Sequence, residues 1–76
     1  TNIEDRLYRV ISSVAKEHGT TSARGLEIQF PLTHEDLSFL TGAHRVSITR
    51  AMKALKAAGK IILEGKKLIV PSLDAA

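Results

Sequence analysis

The sequence predicts a small, mainly α-helical domain with a short β component, an α+β fold. Its 76 residues suit one small domain, since a second hydrophobic core would need a longer chain. Apolar residues recur with the helical period of about 3.6 near the amino terminus and again after residue 44. Near the carboxyl end, two short apolar runs flank Glu-Gly-Lys, which is typical of a β-hairpin. We therefore treat residues 1–76 as one domain.

The composition is that of a globular chain. Hydrophobic residues make up 43% and charged residues 25%, with a mean hydropathy of +0.00, which excludes a disordered tail and a membrane-spanning protein. The chain has no cysteine, so disulfides and cysteine-ligated zinc are excluded. Without a signal peptide or a long apolar run, we expect a cytoplasmic protein with no membrane partner. Since Met52 is the only methionine, we also expect a fragment of a longer chain.

The first helix is predicted at about residues 3–18. The side chain of Asn2 can cap its start, and Gly19 is suited to end it. A stripe of apolar residues with helical spacing comprises Ile3, Leu7, Val10, Ile11 and Val14. This segment is therefore predicted to pack on the core through one face.

A loop and then one strand are predicted to follow. Residues 19–25 have the glycine, serine and threonine content of a loop. Leu26, Ile28 and Phe30 then alternate with polar residues, as in a half-buried strand. Pro31 ends this strand because proline has no N–H to donate to a neighbouring strand.

A short helix is predicted to begin after Thr33. Thr33 can cap the helix, Asp36 suits the positive end of its dipole, and Leu32 can pack back onto Leu37. Gly42 follows as a tight turn. The residues predicted to face the core are Leu37 and Leu40.

A longer helix is predicted at about residues 44–58, followed by a hairpin at about residues 60–70. Gly59 ends the helix, and the hairpin turn is expected at residues 64–66 before Pro71. The apolar residues of the helix lie on one side and are Ile48, Ala51, Met52 and Leu55.

The predicted order of helix, strand, short helix, glycine turn, longer helix and hairpin is that of a winged helix-turn-helix. In this architecture the outer face of the second helix of the motif enters the DNA major groove, about 12 Å wide. Residues opposite Ile48 on the helix, together with the helix starts and the hairpin, are therefore the candidate DNA-binding residues. They are Thr33, His44, Arg45, Val46, Ser47, Thr49, Arg50, Lys53, Lys66 and Lys67.

Charge placement supports the same interpretation. The net charge is +3, but residues 44–67 hold seven cations and one anion, a net of +6. Residues 1–43 hold four cations and six anions, a net of −2, and Asp74 adds −1. The cations lie on the predicted recognition helix (about residues 44–58) and on the hairpin, or wing (about residues 60–70). Such a cationic surface can attract a polyanion.

Residues 32–62, LTHEDLSFLTGAHRVSITRAMKALKAAGKII, resemble the DNA-binding domain of the family of the cyclic AMP receptor protein and the fumarate and nitrate reduction regulator (Crp/Fnr). The resemblance covers residues 26–74 well and the first helix loosely. It implies that Arg45 approaches guanine and that Arg50 binds a base or a phosphate. Val46 stands where the family often has glutamate, and His44 where a serine or threonine cap is usual. We therefore expect a changed operator, with Val46 on a thymine methyl group.

The resemblance also implies features outside this chain. An N-terminal sensor domain and a dimerisation helix would precede it and place a homodimer on a pseudo-palindromic operator, with half-sites roughly 34 Å apart. The effector would bind the sensor, so no cofactor is expected in this domain. Double-stranded DNA and RNA polymerase are the implied partners.

Two other function classes remain open at this point. One is a winged helix of another regulator family, and the other is a protein-interaction winged helix that does not bind DNA. An enzyme is not expected, because the three histidines are scattered and no H-E-x-x-H spacing occurs, so neither catalytic nor metal-ligating residues are predicted. The clustering of cations on the second helix of the motif and the wing favours DNA.

Overall fold

The computed structural model describes residues 2–71. Within that range it contains three helices and four short strands, and the predicted α+β winged helix-turn-helix is confirmed. Asp74, which entered the charge balance, lies outside the described residues. The elements are α1 (Ile3–His18), β1 (Thr20–Ser22), β2 (Gly25–Ile28), α2 (His34–Thr41), α3 (Arg45–Ala57), β3 (Ile62–Glu64) and β4 (Lys67–Val70).

Helix α1 has the bounds that its capping residues predict. The Asn2 side chain accepts a hydrogen bond from the Glu4 N–H at 2.7 Å, and the Gly19 N–H donates to the Ala15 carbonyl at 2.8 Å. Gly19 is extended, with φ −84°, so its role is steric. A Cβ atom there would lie 2.4 Å from the Ala15 carbonyl oxygen, which explains why the helix ends on glycine.

The strands form one antiparallel sheet in the order β1-β2-β4-β3. The prediction that residues 19–25 form a loop is wrong, because β1 pairs with β2 and places Ser22 opposite Gly25. Gly25 is required there, since its φ is +128° and a Cβ atom would lie 2.5 Å from the Val70 carbonyl oxygen. The polar β1 forms because β2 supplies hydrogen-bond partners for its backbone.

The predicted strand at 26–30 is shifted and its burial pattern differs. The strand ends at Ile28, and Phe30 is 42% exposed instead of facing the core. Glu27, predicted to face solvent, is only 8% exposed. The alternation therefore fails at Phe30 because it lies beyond the strand, and at Glu27 because Arg24 and Lys67 pair with its carboxylate.

The residues of α2 that face the core differ in part from those predicted. Leu37 is fully buried as predicted, but Leu40 is 49% exposed. Thr41 takes the inward position one turn after Leu37, with 8% exposure. Its hydroxyl donates to the Leu37 carbonyl at 2.7 Å and accepts from the Ala43 N–H at 3.2 Å. A buried hydroxyl with both bonds made carries little desolvation cost, so threonine can replace an apolar residue here.

The turn between α2 and α3 is held by several contacts. Gly42 has φ 77°, the left-handed conformation that favours glycine, and its N–H donates to the Ser38 carbonyl at 2.9 Å. The Ser38 hydroxyl donates to the Ala43 carbonyl. From α1, the Arg6 guanidinium donates to the Thr41 carbonyl at 3.3 Å. These bonds set the angle at which α3 leaves the turn.

The hydrophobic core joins all three helices to the sheet. Helix α1 packs on α3, α2 and the inner side of β2 and β4. Within residues 2–71, no helix has the length and apolar character needed to cross a membrane. The fully buried large side chains are Leu7, Ile11, Ile28, Leu37, Ile48, Ile61, Leu68, Ile69 and Val70.

Candidate nucleic-acid interface

Helix α3 presents opposite faces to the core and to solvent. Its buried residues are those predicted from the periodicity, Ile48, Ala51, Met52 and Leu55. The opposite face carries only neutral and cationic side chains. Exposed residues on or beside this face include Val46, Thr49, Arg50 and Lys53, and Ser47 is half-buried beside them. Arg45 is exposed at the start of the helix.

The starts of α2 and α3 differ in how they are capped. Thr33 and Asp36 form a capping box, in which the Thr33 hydroxyl accepts from the Asp36 N–H and the Asp36 carboxylate accepts from the Thr33 N–H, both at 3.0 Å. The Thr33 hydroxyl hydrogen is not used in this box. His44 is the N-cap of α3, but its side chain makes no capping hydrogen bond and is exposed. Both side chains can therefore offer a donor to an approaching anion.

A histidine that the sequence did not single out joins the two helices of the motif. The Nδ1 atom of His34 lies 3.0 Å from the Thr49 hydroxyl oxygen. That hydroxyl also lies 3.0 Å from the Arg45 carbonyl oxygen, one turn earlier in α3. No local sequence signal pairs residues 15 positions apart, so only the packing of α2 on α3 shows this contact.

The β3–β4 hairpin forms the predicted wing. Gly65 in its turn has φ +61°, and Lys66 beside it is exposed. Lys67 begins β4 and is half-buried, with its Nζ atom 3.3 Å from a Glu27 carboxylate oxygen. Of the two lysines expected at the wing, Lys66 therefore faces solvent and Lys67 is paired on the sheet.

Glu27 belongs to a group of four charged residues that ties the wing to the β1–β2 hairpin. Arg24 lies 3.6 Å from Glu27 and also pairs with Glu64 of β3. Hydrogen bonding to Ser22, then pairing with Lys67 and Arg24, lowers the pKa of Glu27 against the opposing effect of desolvation. The Arg24 hydrogen bond likewise lowers the pKa of Glu64. This cluster was not predicted, because its members come from the β1–β2 turn and three different strands.

The other two histidines do not assemble into a reactive site. His18 ends α1 near Glu17 and stacks edge-on against Phe30, with ring centroids 6.4 Å apart. Across residues 2–71, no group of three or more His, Cys, Asp or Glu side chains is arranged to hold a metal ion. The geometry suited to a ligand is therefore the cationic outer face of α3 with the α2 start and the wing.

The comparisons with known proteins agree on one family. Residues 5–75 match the family model of the Crp-like helix-turn-helix domain. The chain is 29% identical over 70 residues to the CRP-like cAMP-activated global transcriptional regulator of Mycobacterium tuberculosis, a match that covers 92% of this chain and 31% of that protein. It is 33% identical over 70 residues to the regulatory protein CysR of Synechococcus elongatus, covering 88% of this chain and 34% of that protein.

Solved structures share the fold. The crystal structure of reduced CprK superposes with a TM-score of 0.79 at 26% identity, over 97% of this chain and 36% of that one. The CO-dependent transcription factor CooA from Carboxydothermus hydrogenoformans, at 17% identity and a TM-score of 0.78, shows likeness of fold. The chain spans about a third of the length of the curated relatives it matches.

Proposed function

The chain belongs to the Crp-like helix-turn-helix domain family, and from this premise we propose that it binds operator DNA sequence-specifically with α3 in the major groove, as part of a Crp/Fnr-type transcription regulator. The observation that carries the proposal is the outer face of α3. Its exposed side chains are cationic or neutral, and no acidic residue lies in its first turn. Such a face attracts the phosphate backbone and offers donors to base edges.

The two arginines of α3 are proposed to recognise bases. Arg45 and Arg50 are both exposed on the outward face, and an arginine can donate two hydrogen bonds to guanine O6 and N7. Val46 is 65% exposed, and its methyl groups are suited to a thymine methyl. An A·T pair is therefore expected opposite Val46.

The remaining candidates are proposed to contact phosphates, which position the domain without reading sequence. Thr33 and His44 stand at the two helix starts, and Ser47 flanks the arginines. Thr49 beside them is engaged with the Arg45 carbonyl and the His34 ring, so it is proposed to support the contact surface and not to bind phosphate itself. Lys53 lies one turn beyond Thr49, and Lys66 extends from the wing. Lys67 would have to leave Glu27 to reach DNA, so we assign it chiefly to the support of the wing.

The properties of the longer protein follow from the family. We infer a homodimer that presents two copies of α3 to a pseudo-palindromic operator, with half-sites roughly 34 Å apart. A sensor domain and a dimerisation helix would lie outside residues 1–76, and the effector would bind that sensor. RNA polymerase as a partner and a cytoplasmic location belong to the same proposal.

The test is selection of binding sites from random duplexes, followed by fluorescence anisotropy on the selected operator. Arg50→Ala should weaken binding by about 1–3 kcal/mol if it holds a base. Arg9→Ala removes the same charge from an exposed position on α1. It is the matched control and should change the affinity little. Wild-type binding without salt dependence, or equal losses in both variants, would contradict the assigned face. An invariant G·C pair opposite Val46 would contradict the thymine contact.

A further inference from the structure

The contact between His34 and Thr49 constrains where hydrogens can lie. A threonine hydroxyl has one hydrogen to donate. The Thr49 oxygen lies 3.0 Å from the Arg45 carbonyl oxygen, which can only accept. If the hydroxyl hydrogen is used in that bond, Thr49 must accept at the 3.0 Å contact with His34. The hydrogen of this second bond then resides on His34 Nδ1.

This arrangement determines what the other ring nitrogen can do. A neutral imidazole carries one hydrogen, so with Nδ1 protonated its Nε2 is an acceptor. A phosphate oxygen is also an acceptor, and Nε2 can bond to it only after a second proton makes the ring an imidazolium. Among residues 2–71, Nε2 of His34 has no hydrogen-bond partner, and the side chain is partly exposed.

We propose that His34 is a further DNA contact, and that it contacts phosphate as an imidazolium, so that the domain takes up a proton when it binds DNA. The inference rests on the proposed function above. His34 is the first residue of α2, next to the Thr33 cap, and its Thr49 partner lies on the exposed face of α3. A helix start also favours an anion through its free N–H groups.

Charged groups of α2 and α3 flank the contact between His34 and Thr49. On α2, Glu35 and Asp36 follow it, and Asp36 is engaged with Thr33 in the capping box. On α3, Arg45 and Lys53 lie one turn before and after Thr49, so charges of both signs flank the contact. A phosphate placed beside the ring adds a negative charge, which stabilises the imidazolium.

The sign of the pH dependence follows from the proton uptake. Imidazole ordinarily titrates near pH 6.5. The bound state holds the extra proton more tightly, so affinity is highest at low pH and falls as the pH rises. Uptake of one proton corresponds to a fall in affinity of up to about tenfold per pH unit.

The first experiment measures the dissociation constant of the full 76-residue chain for its selected operator from about pH 6 to about pH 8 at constant ionic strength, the range in which histidine changes charge. We expect several-fold weaker binding at the upper end. His34→Gln should bind with little pH dependence, because an amide donor does not titrate. His18→Gln, at the end of α1 and outside the proposed DNA face, is the control and should keep the wild-type slope. His44→Gln is measured beside it.

The outcomes separate this inference from the proposed function. Wild-type protein that binds no duplex at any pH would overturn both. Wild-type binding with a slope that His34→Gln leaves unchanged would overturn only the role of His34. A slope that disappears in His44→Gln instead would assign the proton to the other histidine and overturn the inference as well.

A second measurement requires no DNA. Nitrogen-15 NMR of the imidazole rings at high pH should show His34 as the Nδ1–H tautomer. Thr49→Val removes the acceptor and should restore the Nε2–H form, which is the commoner tautomer of a free ring. An Nε2–H tautomer in the wild-type protein would overturn the hydrogen assignment on which the inference depends.

Discussion

Thr41→Val is the substitution that tests most directly how the helix-turn-helix angle is held. Valine keeps the shape of threonine but removes the hydroxyl, which in the native protein donates to the Leu37 carbonyl and accepts from the Ala43 N–H at 3.2 Å. Thr41 is only 8% exposed, so a water molecule cannot easily take the place of the lost hydroxyl. The Leu37 carbonyl can keep its helical N–H partner, whereas the Ala43 N–H loses an acceptor.

The expected cost follows from that single unpaired donor. A buried N–H without a partner costs about 1–3 kcal/mol, and Ala43 is half-buried, so we expect about 1–2 kcal/mol. For a domain of this size each kcal/mol lowers the melting temperature by about 4–8 °C. Urea denaturation should show a lower midpoint with an unchanged slope.

Thr49→Val is the matched control. Thr49 is also a helical threonine whose hydroxyl donates to a carbonyl one turn earlier, at 3.0 Å, but it is exposed. We expect a change within about 0.5 kcal/mol, as for most surface substitutions. Equal stability losses for Thr41→Val and Thr49→Val, or no loss in Thr41→Val, would refute the argument from burial.

Other predictions concern the sheet. Gly25→Ala should destabilise the fold far more than Gly65→Ala, because a Cβ atom at Gly25 would lie 2.5 Å from the Val70 carbonyl oxygen while the position at Gly65 is open; for Gly65 only the left-handed backbone cost of about 1–2 kcal/mol is expected. Thermal unfolding of the two variants distinguishes these sites, and equal losses would contradict the steric argument. Glu27→Gln should make the free energy of unfolding fall less steeply as the pH is lowered. The pKa of Glu27 is lowered from 4.5, so its contribution is present above that value and is lost as the pH falls through the lowered pKa. Wild-type and Glu27→Gln proteins that lose stability in parallel on acidification would contradict this. Glu27→Gln should also release Lys67 and steepen the salt dependence of DNA binding, measured by anisotropy.

The elements that the sequence predicts well are those with local causes. Helices α1 and α3 follow from apolar spacing, and the start of α2 from the Thr33–Asp36 capping box. The hairpin at the wing follows from two apolar runs around Gly65. In each case the residues that cause the structure lie within a few positions of one another.

The errors arise where contacts between elements, and not the local apolar pattern, decide the outcome. Strand β1 is polar and exists through its pairing with β2. Leu40 and Thr41 are adjacent, and only the rotation of α2 against the core determines which of them is buried. Glu27 is covered because Lys67 of β4 approaches it, together with Arg24 from the β1–β2 turn.

By itself, the sequence determined the order of elements, the cationic outer face of α3 and the resemblance to a regulator family, because periodicity, caps and motif spacing act over short stretches of chain. Only the tertiary structure decided which polar side chains of separate elements are paired. It paired Lys67 with Glu27 and His34 with Thr49, and it turned Thr41 toward the core. The physical reason is that a hydrogen bond or an ion pair between side chains depends on distances of about 3 Å, and packing alone brings residues from separate elements that close.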